Sequence, residues 1–152
     1  MRIAECVQPQ VNVHAYVMDA VTGAALRTMA AHNLVVLAGR NILRDAIFGE
    51  SVIPYPTRFA VGTGVTAVNA AQVQLVNEVW RDVFTTKTKS EAQVEIRYFL
   101  TATTANGNTL NEAGLFSAPT GGTMYARVLF SEPIAKTSSI AVLYVWTLSW
   151  ST

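Results

Sequence analysis

The sequence predicts a mainly β protein, sandwich or barrel-like, with one helix near residues 37–48. Three observations predict it. Segments of alternating apolar and polar residues recur along the chain, as at 11–18 and 93–101. Turn-forming clusters, such as Asn106-Gly107 and Gly121-Gly122, separate them. Only one stretch repeats its apolar residues near a 3.6-residue period.

The elements follow in order. Residues 11–18 place Val11, Val13, Ala15 and Val17 on one face and Asn12, His14, Tyr16 and Met18 on the other. That is the pattern of a half-buried strand. Turn chemistry at 19–23 predicts a hairpin, with 24–29 returning as the partner. Residues 33–48 read as a short strand entering a helix. Leu37, Ile42, Leu43, Ile47 and Phe48 form its apolar stripe, and Gly49 is placed to end it.

After the helix the signals are nearly all β. Residues 58–61 read as a strand running into Gly62-Thr63-Gly64. Residues 67–76 read as a helical turn or a loop, and 78–86 as one strand. Residues 93–101 alternate, with Asn106-Gly107 after them as a hairpin turn. Residues 109–116 and 123–131 flank the Gly121-Gly122 turn. Residues 137–150 form the longest strand, with Val142, Tyr144, Trp146 and Leu148 on one face and Ala141, Leu143 and Val145 on the other. A strand apolar on both faces is covered twice, by a second layer or by a partner chain. The second face therefore calls for the helix or for another subunit.

The chain of 152 residues is one domain's length. We divide it into an N-terminal arm, residues 1–10, and one β-rich domain, residues 11–152. Half of it (51%) is apolar and only 14% is charged, with a net charge of +1. This balance argues against a nucleic-acid binder and against disorder, and favours burial against other chains. No run approaches the length of a membrane helix, and the N-terminus shows no signal-peptide pattern. Synthesis in the cytoplasm, with no membrane partner, is expected.

No site chemistry assembles from the sequence. His14 and His32 are far apart and have no acidic neighbours, so no metal is expected. Gly62-Thr63-Gly64 lacks the lysine and third glycine of a phosphate loop, and reads as a tight turn. Glu78, Asp82, Glu95 and Glu112 are scattered over strands, and no serine sits in a nucleophile elbow. Neither an enzyme nor a cofactor is expected. Trp80, Tyr125 and Trp150 could instead serve as stacking platforms for a carbohydrate or receptor. The single cysteine, Cys6, can form no internal disulfide, and is placed to pack or to crosslink subunits.

Three motifs occur in order: His32-Asn33-Leu34-Val35-Val36-Leu37-Ala38-Gly39-Arg40, then Phe59-Ala60-Val61-Gly62-Thr63-Gly64 with Leu75-Val76-Asn77-Glu78-Val79-Trp80-Arg81, then Leu110-Asn111-Glu112-Ala113-Gly114-Leu115-Phe116 with Met124-Tyr125-Ala126-Arg127 and Lys136-Thr137. This progression, over residues 32–150, resembles small virion proteins of tailed bacteriophages and the N-terminal module of phage tail-collar fibres. A collar fibre continues into a shaft, whereas this sequence ends at Thr152 and adds a segment ahead of the shared module. The resemblance thus implies an accessory virion protein. It would be a capsid decoration (cement) protein contacting the major capsid protein, or else a tail, collar or baseplate component. A homotrimer is implied by the same resemblance. The expected interface takes in Arg2 and Cys6 on the arm and Ala141, Leu143 and Val145 on the last strand.

The motif residues Gly62, Gly64, Glu78, Arg81, Glu112, Gly114, Arg127 and Lys136 are expected to keep the fold. Glu78 and Arg81, three apart on a strand, should face opposite ways and pair elsewhere, for example with Arg127 or Glu112. Gly114 inside a strand predicts a bulge or a close backbone approach.

Overall fold

The computed structural model describes residues 9–49 and 52–150, apart from the side chain of His32. Strands β1 (Gln10–Asp19) and β2 (Ala25–His32) form the first hairpin. A two-residue strand β3 (Leu34–Val35) leads into α1 (Leu37–Phe48). Then come β4 (Arg58–Gly62), β5 (Glu78–Val83), β6 (Thr86–Ser90), β7 (Gln93–Leu100), β8 (Thr109–Phe116), β9 (Met124–Ala135) and β10 (Ile140–Ser149).

Two antiparallel five-stranded sheets result, ordered β2-β1-β10-β7-β6 and β3-β9-β8-β4-β5. Their inner faces meet in one core. Val13, Ala15, Leu100 and Trp146 from the first sheet pack with Phe59, Leu115 and Val128 from the second. The Phe59 ring stacks on Tyr98 at 4.8 Å and meets Trp146 edge-on. The alternation legible in β1 and β7 is this inward–outward alternation. The protein is therefore mainly β with one helix among the described residues, as the sequence predicts.

The helix lies directly on β9. A Cβ at Gly39 would collide with the backbone carbonyl of Tyr125, so only glycine permits this approach. Gly49 ends the helix in the left-handed conformation (φ 80°), and its N–H bonds the Asp45 carbonyl.

Three expectations are corrected. Residues 78–86 are not one strand. β5 and β6 belong to different sheets, with Phe84 and Thr85 crossing between them. The Thr85 N–H bonds the Arg97 carbonyl, and its hydroxyl accepts from the Phe99 N–H. Asn106-Gly107 is not a hairpin turn either, because β7 and β8 also lie in different sheets. Only Ala105 and Gly107 take positive φ there, and the Asn106 side chain is spent on Lys136. Finally, β1 begins at Gln10, paired with Ser149, one residue ahead of the strand read at 11–18.

The second face of β10 is not roofed by the helix, which packs against β9 in the other sheet. Ala141 and Val145 are buried all the same. Their flanks are held by β1 and β7: Met18 sits opposite Ala141, and His14 and Arg97 sit opposite Val145. Only Leu143 stays half-buried, between Tyr16 and the more exposed Phe99. Of the expected interface, Arg2 and Cys6 lie outside the described residues. Of the three β10 residues expected there, only Leu143 offers appreciable surface.

Candidate functional site

The motif residues converge on a clamp on the outer face of the second sheet. A bulge between Leu110 and Glu112 turns Leu110 into the core and Glu112 outward. Outward here is not toward water, because the 63–77 loop folds over this face. Leu75 from the loop packs with Val36, Ala60, Phe116 and Met124 in a second small core.

Beneath the loop, Glu112 (1% exposed) pairs with Arg127 (0% exposed) at 2.8 Å. The Glu112 carboxylate also accepts backbone N–H groups from Gly64 (3.0 Å), Val76 (3.1 Å) and Asn77 (2.9 Å). Arg127 donates onward to the Gln72 side chain and the Thr66 carbonyl. Each buried charge is thus met from several directions, which is what makes an isolated buried ion pair tolerable. Burial pushes the Glu112 carboxyl up, but the Asn77 N–H, Arg127 and the Val76 N–H outweigh it and hold the carboxyl below its usual range.

The glycines make room for this carboxylate. A Cβ on Gly62 would stand 2.5 Å from the Asn77 carbonyl and 2.6 Å from Glu112 Oε1, and one on Gly64 would strike Val76 and Glu112. Neither glycine has positive φ, so the tight-turn expectation is corrected: their role is close approach. At Gly114 a Cβ would crowd the Leu75 and Phe116 side chains at 3.0 Å and the Ala126 carbonyl at 3.2 Å.

Glu78 and Arg81 pair with each other, contrary to expectation. Arg81 Nε and Nη2 donate to the two Glu78 oxygens at 2.9 and 2.6 Å. The bulge opposite Val61 and Gly62 inserts one residue into β5, which turns the two side chains to the same side. Arg81 Nη1 then binds the carbonyls of Ala118 and Gly121, and its guanidinium lies 3.6 Å from the centre of the Phe116 ring. One arginine therefore fixes the β8–β9 turn.

Lys136 (1% exposed) donates to Asn106 Oδ1 (2.7 Å) and to the Thr137 carbonyl (3.0 Å), which ties down the 101–108 crossing. Burial pulls its pKa down.

All eight motif residues are therefore consumed by the fold. The sequence reading missed the clamp's other half: the N–H groups of Val76 and Asn77, and Thr66 and Gln72. The available signal was Glu112 itself, the one charged residue of its strand, two residues from a glycine.

A separate apolar cleft of about 580 Å³ opens where α1 and the 55–57 segment approach β6, β7 and β10. Trp150 lines it. Of the other two proposed stacking rings, Tyr125 also lines the cleft but is buried, and Trp80 is 40% exposed with its N–H bonded to the Tyr98 hydroxyl at 2.7 Å. Among the described residues no group of three or more His, Cys, Asp or Glu side chains is placed to hold a metal. No helix among them is long and apolar enough to cross a membrane. No family model, curated protein or solved structure matches the chain.

Proposed function

We propose that this chain is a non-enzymatic structural component of a tailed-phage virion, a capsid decoration protein that stabilises the particle by burial between subunits. The observation that carries the reading is convergence. Gly62, Gly64, Asn77, Glu112 and Arg127 come from separate motifs of the phage resemblance, yet they meet in one clamp. Chance matches scattered along a β protein have no reason to do so.

The surface supports the same reading. Val65, Val73 and Val76 stand exposed on the loop above the clamp, and Ile47, Phe48 and Val52 at the end of α1. Large exposed apolar side chains in groups suit an assembly surface. A decoration protein would bury on the order of 1,000 Å² or more per interface, repeated by symmetry as a homotrimer clamping the major capsid protein.

The second reading is a tail, collar or baseplate component, and the collar-fibre likeness of the clamp motifs favours it. Quantitative mass spectrometry of purified particles separates the two. Hundreds of copies per particle support decoration, and a few rings' worth support a tail part. Absence from the particle overturns both.

A further inference from the structure

We infer that the cleft beside β6 receives the N-terminal segment, residues 1–8, of a second copy of this chain. The inference rests on the oligomeric reading above and names its contact.

The cleft walls are apolar: Ile42 and Leu43 from α1, Val94 and Ile96 from β7, Leu148 and Trp150 at the end of β10. Its fourth side is β6, whose Lys87 and Lys89 point into the cleft. Neither lysine has a carboxylate partner among the described residues. β6 is also the outermost strand of its sheet, and all five of its residues are exposed. Such an edge accepts an added strand.

The segment has matching chemistry. Residues 1–8 read Met-Arg-Ile-Ala-Glu-Cys-Val-Gln. In an extended strand Ile3, Glu5 and Val7 share one face, and Ala4 and Cys6 the other. An apolar strip with one central carboxylate complements an apolar cleft edged by two ammonium groups. Eight extended residues span about 26 Å, ample to run the length of a five-residue strand.

The point of departure also fits. Gln10 pairs with Ser149, next to Trp150 in the cleft wall, so the segment leaves from the cleft's end of the sandwich. Pro9 fixes its own φ, and the residue before a proline favours extended backbone. An extended start suits strand addition, here in a neighbour's cleft. Arm-into-cleft contacts are head-to-tail, and a threefold rotation between copies would close them into a trimeric ring.

Cys6 is the chain's only cysteine, which supplies the test. Thr86→Cys, Thr88→Cys and Ser90→Cys are introduced one at a time into the full chain. Each is oxidised and run on non-reducing gels beside Val21→Cys, whose position in the β1–β2 turn is 94% exposed. At least one β6 variant should give about tenfold more covalent dimer and trimer than Val21→Cys, given the high effective concentration at a docked site. A disulfide confined to the monomer, no crosslink at any β6 position, or equal crosslinking by Val21→Cys overturns the proposal.

Light scattering gives a second arm. Glu5→Lys should lower the oligomer's mass, and adding Lys87→Glu with Lys89→Glu in the same chain should restore it. An oligomer indifferent to these charges, and without a β6 crosslink, overturns the docking and leaves the oligomeric reading standing. A monomer at every concentration overturns both.

Discussion

Glu112 and Arg127 form an ion pair with no solvent contact, and the pair is the keystone of a loop, not a link between strands alone. Glu112 faces the loop's backbone N–H groups, and Arg127 reaches its Thr66 carbonyl and Gln72 side chain. The 63–77 loop carries no strand or helix of its own. Its backbone polar groups need partners, and this pair supplies several.

Removing either partner should therefore be costly. Glu112→Ala strands the Arg127 guanidinium and three backbone donors, and should lose about 3–5 kcal/mol in urea unfolding. Arg127→Met should cost less, because the carboxylate keeps its three N–H donors. Many buried pairs can be replaced by apolar residues at little cost. Here the double change Glu112→Leu with Arg127→Met should stay clearly destabilised, since no apolar side chain accepts those N–H groups. A double mutant as stable as the wild type would show that the loop needs no acceptor.

The same carboxylate sets an acid limit. Its folded pKa lies below its unfolded value, so its contribution is fully present above the unfolded pKa, near 4.3 for a glutamate. That contribution drains away as pH falls through the lowered folded value. Asp19 acts in the same direction, held down by the Thr22 backbone N–H, the Thr22 hydroxyl and the Val21 N–H. Stability measured from pH 6 downward should fall below about pH 4.3. Glu112→Gln should be less stable at pH 6 but lose less on acidification. Parallel curves for the two proteins would remove Glu112 as the main acid-sensitive group.

Much of this was legible beforehand, and what was not has a common cause. Strands β1, β4, β7, β8 and β9, the helix and its Gly49 stop follow from periodicity and turn chemistry, because one face of each element meets the core. The failures lie where a strand has no apolar face or breaks its period. Thr86-Lys87-Thr88-Lys89-Ser90 is polar throughout, so hydropathy could not separate it as β6. The Glu78–Arg81 pair depends on a bulge, which is invisible to a strict two-residue period. The clamp was legible only as a set of residues. Which of them meet depends on how 63–77 folds back over the sheet, and no local pattern encodes that.

Glycine substitutions separate close approach from backbone freedom. Gly23 has positive φ and open space where a Cβ would go. Gly23→Ala should cost only the left-handed penalty, about 1–2 kcal/mol. Gly62→Ala has no such penalty, but it drives a methyl against the Asn77 carbonyl and the Glu112 carboxylate. It should cost about 1–3 kcal/mol by overpacking and also loosen the loop. Amide exchange at Val76 and Asn77 should accelerate in Gly62→Ala and stay unchanged in Gly23→Ala. Equal exchange in both would assign Gly62 no part in the clamp.

Arg81 offers the sharpest test of geometry over charge. Its guanidinium grips both Glu78 oxygens, two carbonyls of the 117–122 turn and the face of Phe116. A lysine keeps the charge but has one ammonium, which cannot serve a carboxylate, two carbonyls and a ring together. Arg81→Lys should therefore behave nearly as Arg81→Met, each losing about 1–3 kcal/mol from two charge-assisted bonds to the turn's carbonyls and a broken bidentate pair. The Glu78 side is partly exposed, so Glu78→Gln should cost less than either. Exchange should quicken through residues 117–123, where Arg81 and the Ser117 hydroxyl hold the turn. If Arg81→Lys matches the wild type in both stability and exchange, charge alone suffices and the bidentate, ring-stacked arrangement is dispensable.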